Sequence, residues 1–384
     1  MSARLRLAIV RQRYNPYGGA ERFIERALPA LERAGAEVTL IARSADGWGA
    51  AHVLRADPFY VGSLWRDWSF ARAARAAWGG EGFDLVQSHE RIPGCDVYRA
   101  GDGVHRRWLE LRRSASAPLE RARIALNPHH RYLCAAEKRM FEHPRLRAVI
   151  CNSNMVRDEI ARAFRIAPAK LHVIRNGVDL EHFHPGERAA RRAAARDGLG
   201  CGAGDTVFLF VGSGFARKGL AAAIDALAAA RGEAFRLVVA GRDRAQPAFE
   251  ARARDAGLGE RVRFLGAREE LRPLYAAADC FILPTRYDPF PNTALEALAM
   301  GVPAIVSSRC GAAELIEPGE NGWVCEPDDA AGLARLMREA AAARHAERRS
   351  RAARATAARF GLEQMAAQLA GLYALLGSDH ERMT

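Results

Sequence analysis

At 384 residues the chain exceeds a single ordinary core and suits two domains of roughly 150–200 residues each. Its 49% apolar content and mean hydropathy of −0.19 describe a globular chain, and no stretch reaches the ~18–20 unbroken apolar residues that a transmembrane helix needs. A net charge of +12 suits an anionic partner, but only Lys138, Lys170 and Lys218 of the 57 basic residues are lysine; this arginine-heavy usage weakens the case for nucleic acid, and none is expected as a partner.

The apolar run Leu5–Val10 has no cleavage-type segment after it and reads as a first buried strand, not as a signal peptide. The loop that follows, Arg13-Tyr14-Asn15-Pro16-Tyr17-Gly18-Gly19, opens a helix over Ala20–Ala34. Gly18 and Gly19 let the backbone approach a ligand, and the helix start favours an anion. The loop lacks Gly-x-Gly-x-x-Gly, which argues against a dinucleotide oxidoreductase. Strands are expected at Val38–Ala42 and Asp84–Ser88. The second delivers a polar loop, His89 to Gly103, in which His89 and Asp102 are candidates for acceptor contact or proton handling. Residues 104–147 then carry eleven basic against four acidic side chains, interleaved with Trp108, Leu109, Ile124, Leu126, Tyr132 and Leu133. Such a stretch can lie on an anionic membrane surface or grip a phosphorylated sugar; the plain alternative is a solvated helix face. Strands Ala148–Cys151 and Leu171–Ile174 close this half.

Glycine, proline and an Arg/Ala run break the rhythm over residues 181–204, read as a linker between domains at 1–180 and 205–360. In the second half, strands are expected at Val207–Gly212, Leu237–Ala240, Val262–Leu265, Cys280–Pro284 and Ala304–Ser307, with helices at Leu220–Ala230 and Asn292–Met300. The loop Gly212-Ser213-Gly214-Phe215-Ala216-Arg217-Lys218-Gly219 offers backbone amides, an arginine fork and a lysine point charge, which is what a diphosphate needs. It is no Walker loop, because Gly-Lys-Ser/Thr is absent. After Cys280–Pro284, the amides of Asn292 and Thr293 sit at a positive helix start. Glu296, one turn in, can accept both hydroxyls of a ribose, and Asp288 lies in the turn before. Residues 361–384 form a last amphipathic helix whose packing partner the pattern does not specify.

Strands alternating with helices in both halves mean α/β architecture: two Rossmann-like, doubly wound parallel-sheet domains facing a cleft, with ligands outside the carboxyl ends of the strands. Seven scattered cysteines without a Cys-x-x-Cys pair read as reduced thiols, and no metal site is expected.

Gly18-Gly19-Ala20-Glu21-Arg22, Val173-Ile174-Arg175-Asn176-Gly177-Val178-Asp179, Arg217-Lys218-Gly219, the acidic pair around Pro289-Phe290, and Gly311-Ala312-Ala313-Glu314 occur in one order along nearly the whole chain. Together they resemble the family-four retaining glycosyltransferases of the GT-B fold. Within that family, Pro93-Gly94-Cys95-Asp96-Val97-Tyr98 with Ala100-Gly101-Asp102, and Tyr14-Asn15-Pro16-Tyr17-Gly18-Gly19, are similar to the bacterial lipopolysaccharide core glucosyltransferases. The resemblance implies a UDP-sugar donor, a lipid-linked core heptose as acceptor, and a peripheral place at the cytoplasmic face of the inner membrane. It also implies metal-independent chemistry without a cofactor, in line with the absence of Asp-x-Asp. Carried over by residue, Gly18, Gly19, Asn292 and Thr293 approach phosphate or sugar, Arg217 and Lys218 neutralise the leaving diphosphate, and Glu296 holds the ribose. Asp102 sits near the reacting sugar, and Asp288 stands where the family usually has Glu. Ser213 replaces an arginine common in the second loop, and Phe23 replaces an acid found after the first-loop arginine. Competing readings are a sugar-nucleotide epimerase or phosphorylase on the same fold, or a non-catalytic binder.

Overall fold

The computed structural model describes residues 4–14, 19–33, 35–48, 52–342 and 345–381, and the chain divides into two compact units. The first unit runs through β1 (Leu5–Val10), α1 (Gly19–Arg33), β2 (Ala36–Ala42), β3 (His52–Arg55), α2 (Gly62–Gly80), β4 (Leu85–Ser88) and β5 (Val97–Ala100). It continues through α3 (His105–Ser114), α4 (Pro118–Leu126), α5 (Pro128–Phe141), β6 (Ala148–Cys151), α6 (Asn154–Ala163) and β7 (Leu171–Val173). Its seven strands pair in parallel in the order β3-β2-β1-β4-β5-β6-β7. Alternation along β1 builds a core on each face of the sheet. Leu7 and Ile9 join Phe23, Ile24 and Leu31 of α1, whereas Ala8 and Val10 join Phe70 and Ala74 of α2 and Met140 of α5.

The second unit holds α7 (Pro185–Gly198), β8 (Thr206–Val211), α8 (Leu220–Ala229), β9 (Phe235–Ala240), α9 (Gln246–Asp255), β10 (Val262–Phe264) and α10 (Arg272–Ala277). It ends with β11 (Cys280–Leu283), α11 (Asn292–Ala299), β12 (Ala304–Ser307), β13 (Gly322–Cys325), α12 (Ala330–Ala341) and α13 (Ala346–Ala358). Its six parallel strands run β10-β9-β8-β11-β12-β13. The reversal of strand order next to β8 is the switch point at which open α/β sheets accept ligands. Among the described residues, no helix is long and apolar enough to cross a membrane, and all seven cysteines are free.

Three features differ from the sequence reading. Residues 181–204, expected as a linker, belong to the second unit and contain α7, whose Arg188, Arg192 and Arg196 donate to the carbonyls that end α10. The loop expected from His89 to Gly103 contains β5, a four-residue strand paired with β4 and β6. Strands β3 and β13 also escaped the pattern. The last helix, α14 (Leu362–Glu381), belongs to the first unit: Met365, Leu369, Leu372, Tyr373 and Leu376 recur at helical spacing and bury against α1. The Tyr373 hydroxyl donates to Gln87 Oε1 at 2.5 Å inside the unit. Tyr373→Phe leaves that buried amide oxygen without its donor and is expected to lower stability by about 1–3 kcal/mol in urea unfolding. An unchanged midpoint would mean that α14 docks by apolar contact alone.

Candidate active site

In the second unit, three strand-end loops interlock at the carboxyl edge of the sheet. The Arg217 carbonyl accepts from Arg286 N at 2.8 Å and from Thr285 Oγ1 at 2.9 Å. The loop after β11 is held in turn by the loop after β12, because Asp288 N donates to Arg309 O and Gly311 N donates to Asp288 O. Two glycines permit this approach. Gly219 has φ +79°, and a Cβ there would lie 2.0 Å from the Pro284 carbonyl oxygen. Gly212 has φ +146°, and a Cβ there would lie 2.6 Å from the Lys218 stem, which crosses its backbone.

The framework assembles Arg217, Lys218 and Asp288. Lys218 Nζ lies 3.0 Å and Arg217 Nη1 3.5 Å from Asp288 Oδ2, and Arg217 Nη1 also donates to Tyr287 O at 2.8 Å. Burial pushes the Asp288 carboxyl up, but Lys218 and Arg217 outweigh it and hold the group below its ordinary value. Two cations on one buried carboxylate leave a positive surplus at this sheet edge. Asn292 and Thr293 open α11, as expected, and the buried Thr293 Oγ1 has no hydrogen-bond partner among the described residues. Glu296 is fully buried, and Tyr275 OH donates to its Oε2 at 3.1 Å. Ser213 Oγ accepts from Arg242 N at 3.4 Å.

In the first unit, Gly18 lies outside the described residues, and Gly19 is the first residue of α1. His89 is buried against the Phe23 ring at 5.8 Å between centroids, with Nε2 2.9 Å from Gln87 Nε2. Burial, with Arg99 and Arg11 nearby, holds its pKa well below the usual histidine value. Asp102 is exposed, and its charge acts on Arg11, Arg91 and Arg99.

Around these two lies a network that the sequence reading missed. Arg11 pairs with Glu21 at 2.9 Å and with Glu90 at 3.3 Å. The Arg99 guanidinium stacks 3.7 Å from the Phe23 ring centroid and bonds Asn176 Oδ1. Burial lowers the Arg99 pKa to about 10, and burial raises the Glu21 carboxyl against the pull of Arg11. Four buried polar atoms of this region, Glu21 Oε2, His89 Nδ1, Arg99 Nε and Asn152 Oδ1, have no hydrogen-bond partner among the described residues. Unsatisfied buried groups are costly and concentrate where a ligand completes them. The available signal was Arg99 itself, a charged residue inside the apolar run Val97–Ala100.

Two family models match the chain: residues 17–182 match Glycosyltransferase Family 4, and residues 192–359 match Glycosyl transferases group 1. The chain carries both domains; it is a glycosyltransferase of the GT-B fold. Among curated proteins, it is similar to a probable transglycosylase of Burkholderia thailandensis, 29% identical over 84% of this chain and 83% of that protein. It is 26% identical to the lipopolysaccharide glucosyltransferase WaaG of Escherichia coli over 67% of this chain and 68% of that one. Glycogen synthase of Mycobacterium tuberculosis is 36% identical over 54% of this chain, and the match spans about half of that protein (48%). The crystal structure of WaaG superposes with a TM-score of 0.82 at 23% identity, covering 95% of this chain and 99% of that one.

Proposed function

We propose that this enzyme transfers a hexose, glucose from UDP-glucose, to an inner-core heptose of lipopolysaccharide with retention of anomeric configuration and without a metal. The observation that carries the reading is the Arg217–Lys218–Asp288 cluster at the carboxyl edge of β8 and β11. The two cations would neutralise the diphosphate as it departs, fixed in advance by the buried carboxylate. The amides of Asn292 and Thr293 would add the positive end of α11, Gly18 and Gly19 would bring backbone to the phosphates, and Glu296 would take the ribose. A leaving-group phosphate oxygen would accept the proton of the attacking hydroxyl on the same face. His89 and Asp102 would meet the acceptor, with the unpartnered atoms of Glu21 and Arg99 beside them.

Two observations support a membrane partner for residues 104–147. Leu119 and Leu126 of α4 are 66% and 71% exposed among Arg121 and Arg123. The first turns of α2 expose Trp65 and Trp68 after Phe59 and Val61, and the Asp67–His129 contact of 2.7 Å ties these turns to the start of α5. Tryptophan beside arginine suits the headgroup layer. Replacing Arg106, Arg107, Arg112 and Arg113 by Ser is expected to weaken co-sedimentation with anionic vesicles, and so is replacing Trp65 and Trp68 by Ser. Unchanged binding in both variants would count against the membrane.

The higher identity to glycogen synthase favours one second reading, transfer of a glucosyl unit to a glucan acceptor. A panel of UDP-, GDP- and ADP-sugars with truncated core lipopolysaccharide and with a maltooligosaccharide separates the readings by nucleotide release. Absence of nucleotide release with every donor and every acceptor would overturn both.

A further inference from the structure

At the opposite, amino edge of the second unit's sheet lies a cavity of about 560 Å³, beside Thr206, Asp279 and Pro303, which begin or precede β8, β11 and β12. The length of β8, roughly 17–20 Å for six residues, separates this edge from the Arg217–Lys218–Asp288 cluster. Its wall is formed by Arg188, Arg192 and Arg196 of α7 and by Ser350 and Arg351 of α13. Like charges four residues apart repel along a helix, so this ladder needs negative partners. Part of the demand is met by the carbonyls of Ala276, Ala277 and Ala278 at the end of α10 and by Asp279, which pairs with both Arg192 and Arg196.

Arg196 also donates to the carbonyls of Gly202 and Asp205, so the unmet demand of this ladder lies at Arg188. Asp205 and Glu347 also line the cavity, but Asp205 is paired with Arg236 and Glu347 with Arg351. Arg188 has no carboxylate partner among the described residues, and its buried Nε has no hydrogen-bond acceptor. Burial and the neighbouring Arg192 lower the Arg188 pKa to about 10 despite Asp279, which is how a desolvated surplus of positive charge behaves. A cavity of this volume falls in the range of small-molecule sites, and planar guanidinium forks match phosphoryl oxygens.

We infer that this cavity binds a small phosphoryl-bearing anion, at a second site distinct from the strand-end cluster. Inorganic pyrophosphate is the probe, titrated calorimetrically into the full chain carrying Lys218→Ala, which removes competition from the strand-end cluster. One saturable site is expected, weakening as salt rises. Adding Arg188→Gln or Arg351→Glu should weaken it at least tenfold. Arg351 is exposed on α13, so its variant covers the case in which Arg188→Gln disturbs the fold. Uridine monophosphate and a hexose 1-phosphate, titrated likewise, identify the richer ligand by the tighter binding. Absence of binding in the Lys218→Ala protein, or affinity unchanged in both arginine variants, would overturn the proposal.

Discussion

Replacing Lys218 by alanine is expected to lower turnover about 10²–10³-fold, equivalent to about 2.7–4 kcal/mol of transition-state stabilisation. Its side chain is only 11% exposed and its ammonium sits 3.0 Å from Asp288 Oδ2, so the charge is already oriented in a partly desolvated place. Charge that accumulates on a departing diphosphate is met there without reorganisation, and the loss should fall on kcat more than on KM. Lys218→Arg keeps the charge but substitutes a planar fork for a point charge, and should recover only part of the rate. Nucleotide release under saturating donor reads both variants. A Lys218→Ala enzyme within threefold of the parent would remove this cluster from the chemistry.

Asp288→Asn is expected to cost about 3 kcal/mol of unfolding free energy at neutral pH, because it leaves the largely buried Lys218 ammonium without its carboxylate, while the one-third-exposed Arg217 guanidinium keeps water and Tyr287 O. The pH dependence has a definite sign. Lys218 and Arg217 hold the Asp288 carboxyl below its ordinary value against the upward push of burial. A folded-state pKa below the unfolded one adds stability that is fully present above the ordinary aspartate range, near pH 4, and is lost as pH falls through the folded value. The parent and Asp288→Asn curves, measured by urea unfolding, should therefore be furthest apart at neutral pH and converge below about pH 4. A gap that does not narrow at all between neutral pH and pH 3 would locate the cost elsewhere. Asp288→Glu restores the residue usual in the family. Because the Asp288 backbone is pinned by Arg309 and Gly311, the added methylene must be taken up by Lys218 or Arg217, and the variant tests how far that pair can move.

Much of the molecule was legible in the chain. Parallel strands buried on both faces read as short apolar runs, so β1, β6, β8, β11 and β12 stood out with little context. The second-unit cluster was legible for a related reason. Glycines, cations and acids in strand-to-helix loops come to one sheet edge whenever the strands are parallel and adjacent, and the switch point next to β8 is such a place.

Tertiary structure decided the rest. Strand β5 carries a buried arginine and becomes a strand only because β4 and β6 supply its ladder on both sides. The Arg/Ala run near residue 190 looked like a linker because its face is charged; it is a helix because the end of α10 and Asp279 take up those guanidinium groups. The amphipathic period of α14 showed that it packs, and the complementary face of α1 determined where. The Arg11–Glu21–Glu90 and Arg99–Asn176 pairs join residues up to 79 positions apart. Periodicity records which side of an element is buried, and local motifs record what a loop can bind. Which buried charge meets which partner depends on how distant segments are brought together by the sheet, and only the folded chain contains that information.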